Sequence, residues 1–135
     1  MAFTIYPFII ATKDEKQNPV LMNHETIHLK QEKELFLILF LILFYAHSFW
    51  ILLTKLSVRK AYLLNMFEVE AYANKNDFSY SNNRKKFGWK YITSNTINWI
   101  NYVNSQPVTD RFPAILLLLI LFTFLIMIIY TIFSV

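Results

Sequence analysis

The residues best able to do chemistry in this chain are His24-Glu25-Thr26-Ile27-His28. Two histidines at i and i+4 of a helix project from the same face, so both imidazoles can bind one metal ion, whereas i and i+2 would face apart. Glu25 stands beside them, where it can take a proton from a water whose pKa zinc lowers toward about 7. The pattern uses two of only three histidines in the chain. No cysteine is present, which excludes a disulfide framework, a thiolate nucleophile and a thiolate metal site. Any metal must therefore be held by His, Asp or Glu. The single glycine likewise excludes glycine-rich phosphate-cradling loops.

A catalytic zinc needs a third protein ligand and one open position. Carboxylates are scarce after Glu34: only Glu68, Glu70, Asp77 and Asp110 remain. Glu68 and Glu70 fall in Phe67-Glu68-Val69-Glu70-Ala71-Tyr72-Ala73-Asn74, within a helix expected from about Arg59 to Asn74. At 3.6 residues per turn the two glutamates point roughly 200° apart, so only one of them can serve the ion. Gln31, seven residues after His24, shares the face of the histidines and can line the site.

The two elements together resemble the gluzincin branch of the zinc metallopeptidases, in which a His-Glu-x-x-His helix is followed by a second helix bearing Glu-x-x-Ala. The likeness is nearest to minigluzincins and to membrane-embedded relatives such as the CAAX prenyl proteases. The string Asn23-His24-Glu25-Thr26-Ile27-His28-Leu29-Lys30-Gln31 with the later Phe67 to Tyr72 element is also similar to small bacterial membrane proteins. The resemblance covers about residues 7–76. It implies zinc as cofactor, His24 and His28 as ligands, Glu25 as general base, and a peptide or protein substrate. Glu68, three residues before Ala71, matches the third ligand; Glu70, three before Ala73, is not excluded by the pattern. Where many gluzincins place an aspartate that orients a zinc-binding histidine, this sequence has Tyr72. That hydroxyl can bond a histidine, can stabilise the oxyanion of a tetrahedral intermediate as a catalytic group, or can be packing at an interface.

The elements that must position these residues are unusually apolar. Of 135 residues 56% are hydrophobic and 16% charged, with a net charge of +4, against about 25% charged in ordinary globular domains. Leu35 to Thr54 carries no charge, and Pro113 to Val135 is almost pure Leu, Ile and Phe. Runs of about twenty apolar residues match the thickness of a bilayer core. The expected fold is a mainly α membrane protein with a zincin-like helical core, a short N-terminal strand at Phe3 to Ile10 and a C-terminal transmembrane helix. Residues 1–76 would form the metal-site region, 77–112 a polar or interfacial connector, and 113–135 the anchor. Asn18-Pro19 reads as the N-cap and first position of the metal-binding helix. Asp14 to Asn18 reads as a turn, Asn74 to Asn83 as a loop, and Tyr91 to Val103 as a helix at the interface or packed on the domain. The first ten residues show no basic n-region, so no cleavable signal peptide is expected.

One geometric conflict constrains this picture. If Leu35 to Thr54 crosses the membrane fully, with a straight helix running from His28 to Leu53, His28 and Glu68 end on opposite sides and no zinc site can form. The site therefore requires an apolar hairpin over about residues 35–56, bending near Tyr45 to Ser48, with His47 at a break or water-facing turn. Lys30 and Lys33 before the run, and Lys55, Arg59 and Lys60 after it, put both ends on one face. By the positive-inside rule that face is cytoplasmic, with the C-terminus outside; the likeness to small bacterial membrane proteins implies a bacterial inner membrane.

Nine of the thirteen Lys/Arg lie between Lys55 and Arg111, including Arg84-Lys85-Lys86. Beside two apolar runs this favours a lipid surface over nucleic acid, which is not an expected partner despite Phe87 and Trp89 nearby. The reading that follows is a membrane-anchored zinc metallopeptidase. The alternative is a non-enzymatic small subunit of a membrane complex whose metal motif is vestigial or coincidental.

Overall fold

In a computed structural model that describes residues 2–133, the chain is mainly helical with one small sheet. The N-terminal segment is a hairpin rather than one strand. β1 (Phe3–Ile5) and β2 (Phe8–Ile10) pair antiparallel around Tyr6-Pro7, with Thr4 opposite Ile9. Asp14 to Asn18, expected as a turn, is largely the short helix α1 (Lys13–Lys16), started by a reciprocal Thr12–Glu15 capping box.

The helix that carries His24 and His28, α2 (Pro19–Leu35), begins as its sequence dictates, with the Asn18 side chain accepting from the Val20 and Leu21 amides and Pro19 at the first position. The following apolar run is one unbroken helix, α3 (Leu37–Lys55). The expected reversal at Tyr45 to Ser48 is therefore not there. The chain turns instead at Phe36 (φ 58°, ψ 145°) and at Leu56 (φ 48°, ψ 45°), both outside helical backbone. Phe36 folds α3 back along α2, so Phe40 comes within 6.5 Å of the His28 ring. This removes the conflict that called for a hairpin: the two helices pack side by side instead of forming one straight rod.

The helix expected over 59–74 is two helices, α4 (Val58–Leu63) and α5 (Met66–Asn74). Asn65 separates them and is fully buried. Its Oδ1 accepts from the Phe67 amide, while its Nδ2 donates to the Phe44 carbonyl and to Ser48 Oγ on α3. His47 lies within α3 and its Nδ1 accepts from the Met66 amide, so the polar pair His47-Ser48 caps α5 where a break was expected. A core of Leu35, Phe40 and Phe67, flanked by Phe44 and Trp89, locks α2, α3 and α5 together.

Residues 74–83 contain turns and the short α6 (Tyr80–Asn83). A 3-10 turn at Gly88–Lys90 leads to α7 (Ser94–Ser105), which packs on α5: Trp99 donates to the Leu63 carbonyl and stacks on Tyr72 at 4.6 Å. The last helix, α8 (Arg111–Phe133), packs on the domain near its start, where Ala114 and Leu118 meet Ile51, Leu52 and Ala61. Asp110 ties that junction to α4, accepting from Ser57 Oγ and the Arg59 amide. Ser134 and Val135 of the expected anchor lie outside the described residues. By length and composition, α3 and α8 can each cross a membrane.

Candidate metal centre

Helices α2 and α5 run antiparallel, and buried amides fix their register. At one end Asn23 Nδ2 donates to the carbonyls of Lys75 (2.8 Å) and Asp77 (3.0 Å). At the other, Gln31 Nε2 donates to the Phe67 carbonyl. Between these anchors His24, His28 and Glu68 face one another, all buried. Glu68 is the third residue of α5, near the positive end of that helix.

The two histidine Nε2 atoms lie 3.0 Å apart. Glu68 bridges them, with Oε2 3.4 Å from His24 Nε2 and Oε1 3.4 Å from His28 Nε2. For ligands at about 2.0–2.1 Å in a tetrahedral zinc site, neighbouring donors stand about 3.3 Å apart. The three separations fit that figure. Two unprotonated imidazole nitrogens aimed at each other repel, so a shared proton or a cation must sit among these groups. Glu68 Oε2 has no hydrogen-bond partner, an orphan of the kind a cation satisfies. The donor set of two imidazoles and a carboxylate suits zinc.

The electrostatics follow from this crowding. Burial would raise the Glu68 carboxyl, but His24 and His28 bring it down to about 2. For His28, burial disfavours the charge, yet Glu68 overcomes it and raises the imidazole above its ordinary value. Burial raises Glu25 against the opposing pull of the two histidines, which makes its carboxylate a stronger base. Glu25, His28 and Glu68 border a cleft of about 320 Å³ walled by Thr4, Phe40 and Phe44. Glu25 and His24 also border a neighbouring cleft with Tyr62 and Tyr72.

Tyr72 meets His24 edge to face, with ring centroids 4.5 Å apart. Burial and the nearby carboxylates raise its hydroxyl and that of Tyr62, keeping both as neutral donors. Glu70, the other ligand candidate, is turned away. It accepts from Arg84 Nε (2.7 Å) and Nη2 (3.0 Å), Tyr80 Oη (2.9 Å) and Gln31 Nε2 (2.8 Å). Arg84 Nη1 in turn pairs with Glu34 at 2.6 Å. Arg84 belongs to the basic run assigned to a lipid surface, but its side chain is only 3% exposed and is held by these two carboxylates.

Several contributors escaped sequence reading. Glu32 is buried and holds the hairpin on α2, accepting from Thr4 Oγ1 (2.5 Å) and the Tyr6 amide (2.6 Å). Tyr62 carried no signal, because its helix ends one turn before Glu68 in a way no spacing reveals. The Gln31–Glu70–Arg84–Glu34 cluster had a partial signal, since Gln31 shares the histidine face. Comparison of this chain with protein-family models, curated proteins and solved structures finds no match.

Proposed function

We propose that this chain is a membrane-anchored, zinc-dependent metallopeptidase. The observation that carries the reading is the convergence of His24, His28 and Glu68 on one point, with the Glu25 carboxylate on the same cleft. His24 Nε2, His28 Nε2 and a Glu68 oxygen would hold the metal. When bound there, zinc would supply Lewis acidity and an acidified water. Glu25 is the base that would take a proton from the attacking water and hand it to the departing amine, so protons balance over the cycle. The Tyr72 hydroxyl, on the neighbouring cleft, is the donor suited to the developing oxyanion. β1 pairs only with β2 among the described residues, so its other edge can take an extended peptide by strand addition.

The membrane assignment draws on α3 and α8. α8 exposes apolar side chains around its circumference and serves as the spanning anchor. α3 buries Phe40, Ile51 and Leu52 on the domain and exposes a stripe of Ile38, Ile42, Phe49 and Leu53. That stripe lies in the membrane surface while the opposite face holds the site. Lys55, Arg59 and Arg111 cluster where α3 ends and α8 begins, which favours the cytoplasmic face of a bacterial inner membrane. The test is Glu25→Gln in the detergent-solubilised chain: zinc is retained and hydrolysis of a peptide library is lost. Hydrolysis at the wild-type rate would refute the peptidase reading.

A further inference from the structure

The histidine-orienting aspartate of gluzincins is replaced here by Tyr72, whose contact with His24 is between rings. We infer that Gln31 and Glu70 take over that task as positioning residues, with the Gln31 amide carrying the influence of Glu70 to His28. The inference rests on the metal reading of the site. Gln31 is fully buried. Its Nε2 donates to two groups that only accept, the Phe67 carbonyl (3.1 Å) and Glu70 Oε2 (2.8 Å). The amide orientation is therefore fixed, and Oε1 must face His28 Nδ1, 2.7 Å away. An amide oxygen accepts only, so His28 carries its hydrogen on Nδ1 and turns the Nε2 lone pair toward His24 and Glu68.

Glu70 makes this more than a tie between two helices. Arg84 grips it through Nε and Nη2, Tyr80 bonds it, and Arg84 also serves Glu34. One cation between two carboxylates leaves the cluster net negative. That charge polarises the amide toward His28, strengthens Oε1 as an acceptor, and makes Nε2 a better donor to a metal. The result is a carboxylate–amide–histidine relay in which the orienting group comes from the metal-binding helix itself, three residues after His28.

The test uses the full chain in detergent micelles, with nitrogen NMR of the metal-free histidines above the imidazole titration range and zinc affinity by chelator competition. Wild type is expected to show His28 only as the Nδ1–H tautomer. Gln31→Met, similar in length but unable to form these bonds, is expected to show both tautomers and to bind zinc about 10–100-fold more weakly. Glu70→Gln is expected to give a smaller loss with the tautomer kept. Unchanged affinity and tautomer in Gln31→Met, with only a lower thermal midpoint, would overturn the relay and leave a structural tie. An Nε2–H tautomer in wild type would overturn it without any variant, so the test survives a Gln31→Met chain that does not fold. No zinc uptake by wild type would overturn the metal reading, and this inference with it. Undiminished uptake in Gln31→Met overturns the relay alone.

Discussion

Two faces of α5 carry two glutamates, two residues apart, with opposite surroundings. On one face Glu68 meets two imidazoles and leaves an oxygen without a partner. On the other Glu70 has four donors, two of them from Arg84. Both are buried to the same degree, so burial does not tell them apart. What separates them is saturation. A carboxylate already neutralised by a guanidinium and filled with hydrogen bonds is part of the scaffold. A carboxylate set against two histidines that are aimed at each other, with the Tyr62 hydroxyl beside it and no cation in contact, is suited to hold one. Gln31 joins the two faces, one end of its amide on each.

The comparison breaks most sharply at Glu25. Glu25→Gln should lower peptide hydrolysis by about 10²–10⁴-fold, the range for losing a general base, and leave bound zinc unchanged. Loss of zinc together with activity would make Glu25 a structural member of the unsaturated face. Next in size is Arg84→Met, which strands Glu34 and Glu70 without their shared cation. Removing one member of a buried ion pair costs about 3–5 kcal/mol, readable as a lower midpoint in chemical or thermal unfolding. A midpoint close to wild type would mean that the saturated face does not depend on its cation.

Gly88→Ala tests the same face by crowding. A Cβ at Gly88 would overlap the Glu70 carboxylate and come to 3.0 Å from Arg84 Nη2. Overpacking of this kind costs about 1–3 kcal/mol, and the stability of Gly88→Ala relative to wild type measures it. The one glycine of the chain is thus placed where the backbone must approach the ion pair.

The smallest effect is a pH dependence. Glu68 is lowered from 4.5 to about 2, so its contribution is present above pH 4.5 and is lost as pH falls toward 2. His28 is raised above 6.5, so its contribution is complete below pH 6.5 and is lost as pH climbs through the raised value. The metal-free chain should therefore gain most from the unsaturated face between pH 4.5 and 6.5. Zinc competes with the proton shared there, so the zinc-loaded optimum should move upward. A thermal-midpoint profile with and without zinc checks the shift; identical profiles would contradict it.

Much of the unsaturated face is legible in the sequence because one helix carries most of it. Spacing alone puts His24, Glu25, His28 and Gln31 together, and Asn18-Pro19 marks where that helix starts. The choice between Glu68 and Glu70 is not legible, because it depends on which face of α5 packs on α2. Asn23 and Gln31 at the two ends of the α2 contact, and Asn65 at the start of α5, set that packing from distant points of the chain. The turn at Phe36 is hidden for a different reason: no Gly, Pro or Asn marks it, and Phe36 continues the apolar pattern on either side. His47 in an apolar run suggested a break, yet it caps α5 while its own helix stays unbroken. Arg84 read as one of three cations in a run facing a lipid surface. A linear run of charge cannot show that one member has turned inward between carboxylates fifty and fourteen residues away.

We propose that the Glu68 face of α5 holds a metal ion and the Glu70 face does not. The zinc content of the purified, detergent-solubilised chain, measured beside Glu68→Ala and His28→Ala, decides between the two faces. About one zinc per wild-type chain, lost in both variants, is expected of a three-ligand site. A wild-type chain that takes up no zinc at neutral pH, or a Glu68→Ala chain that keeps it, would overturn the assignment.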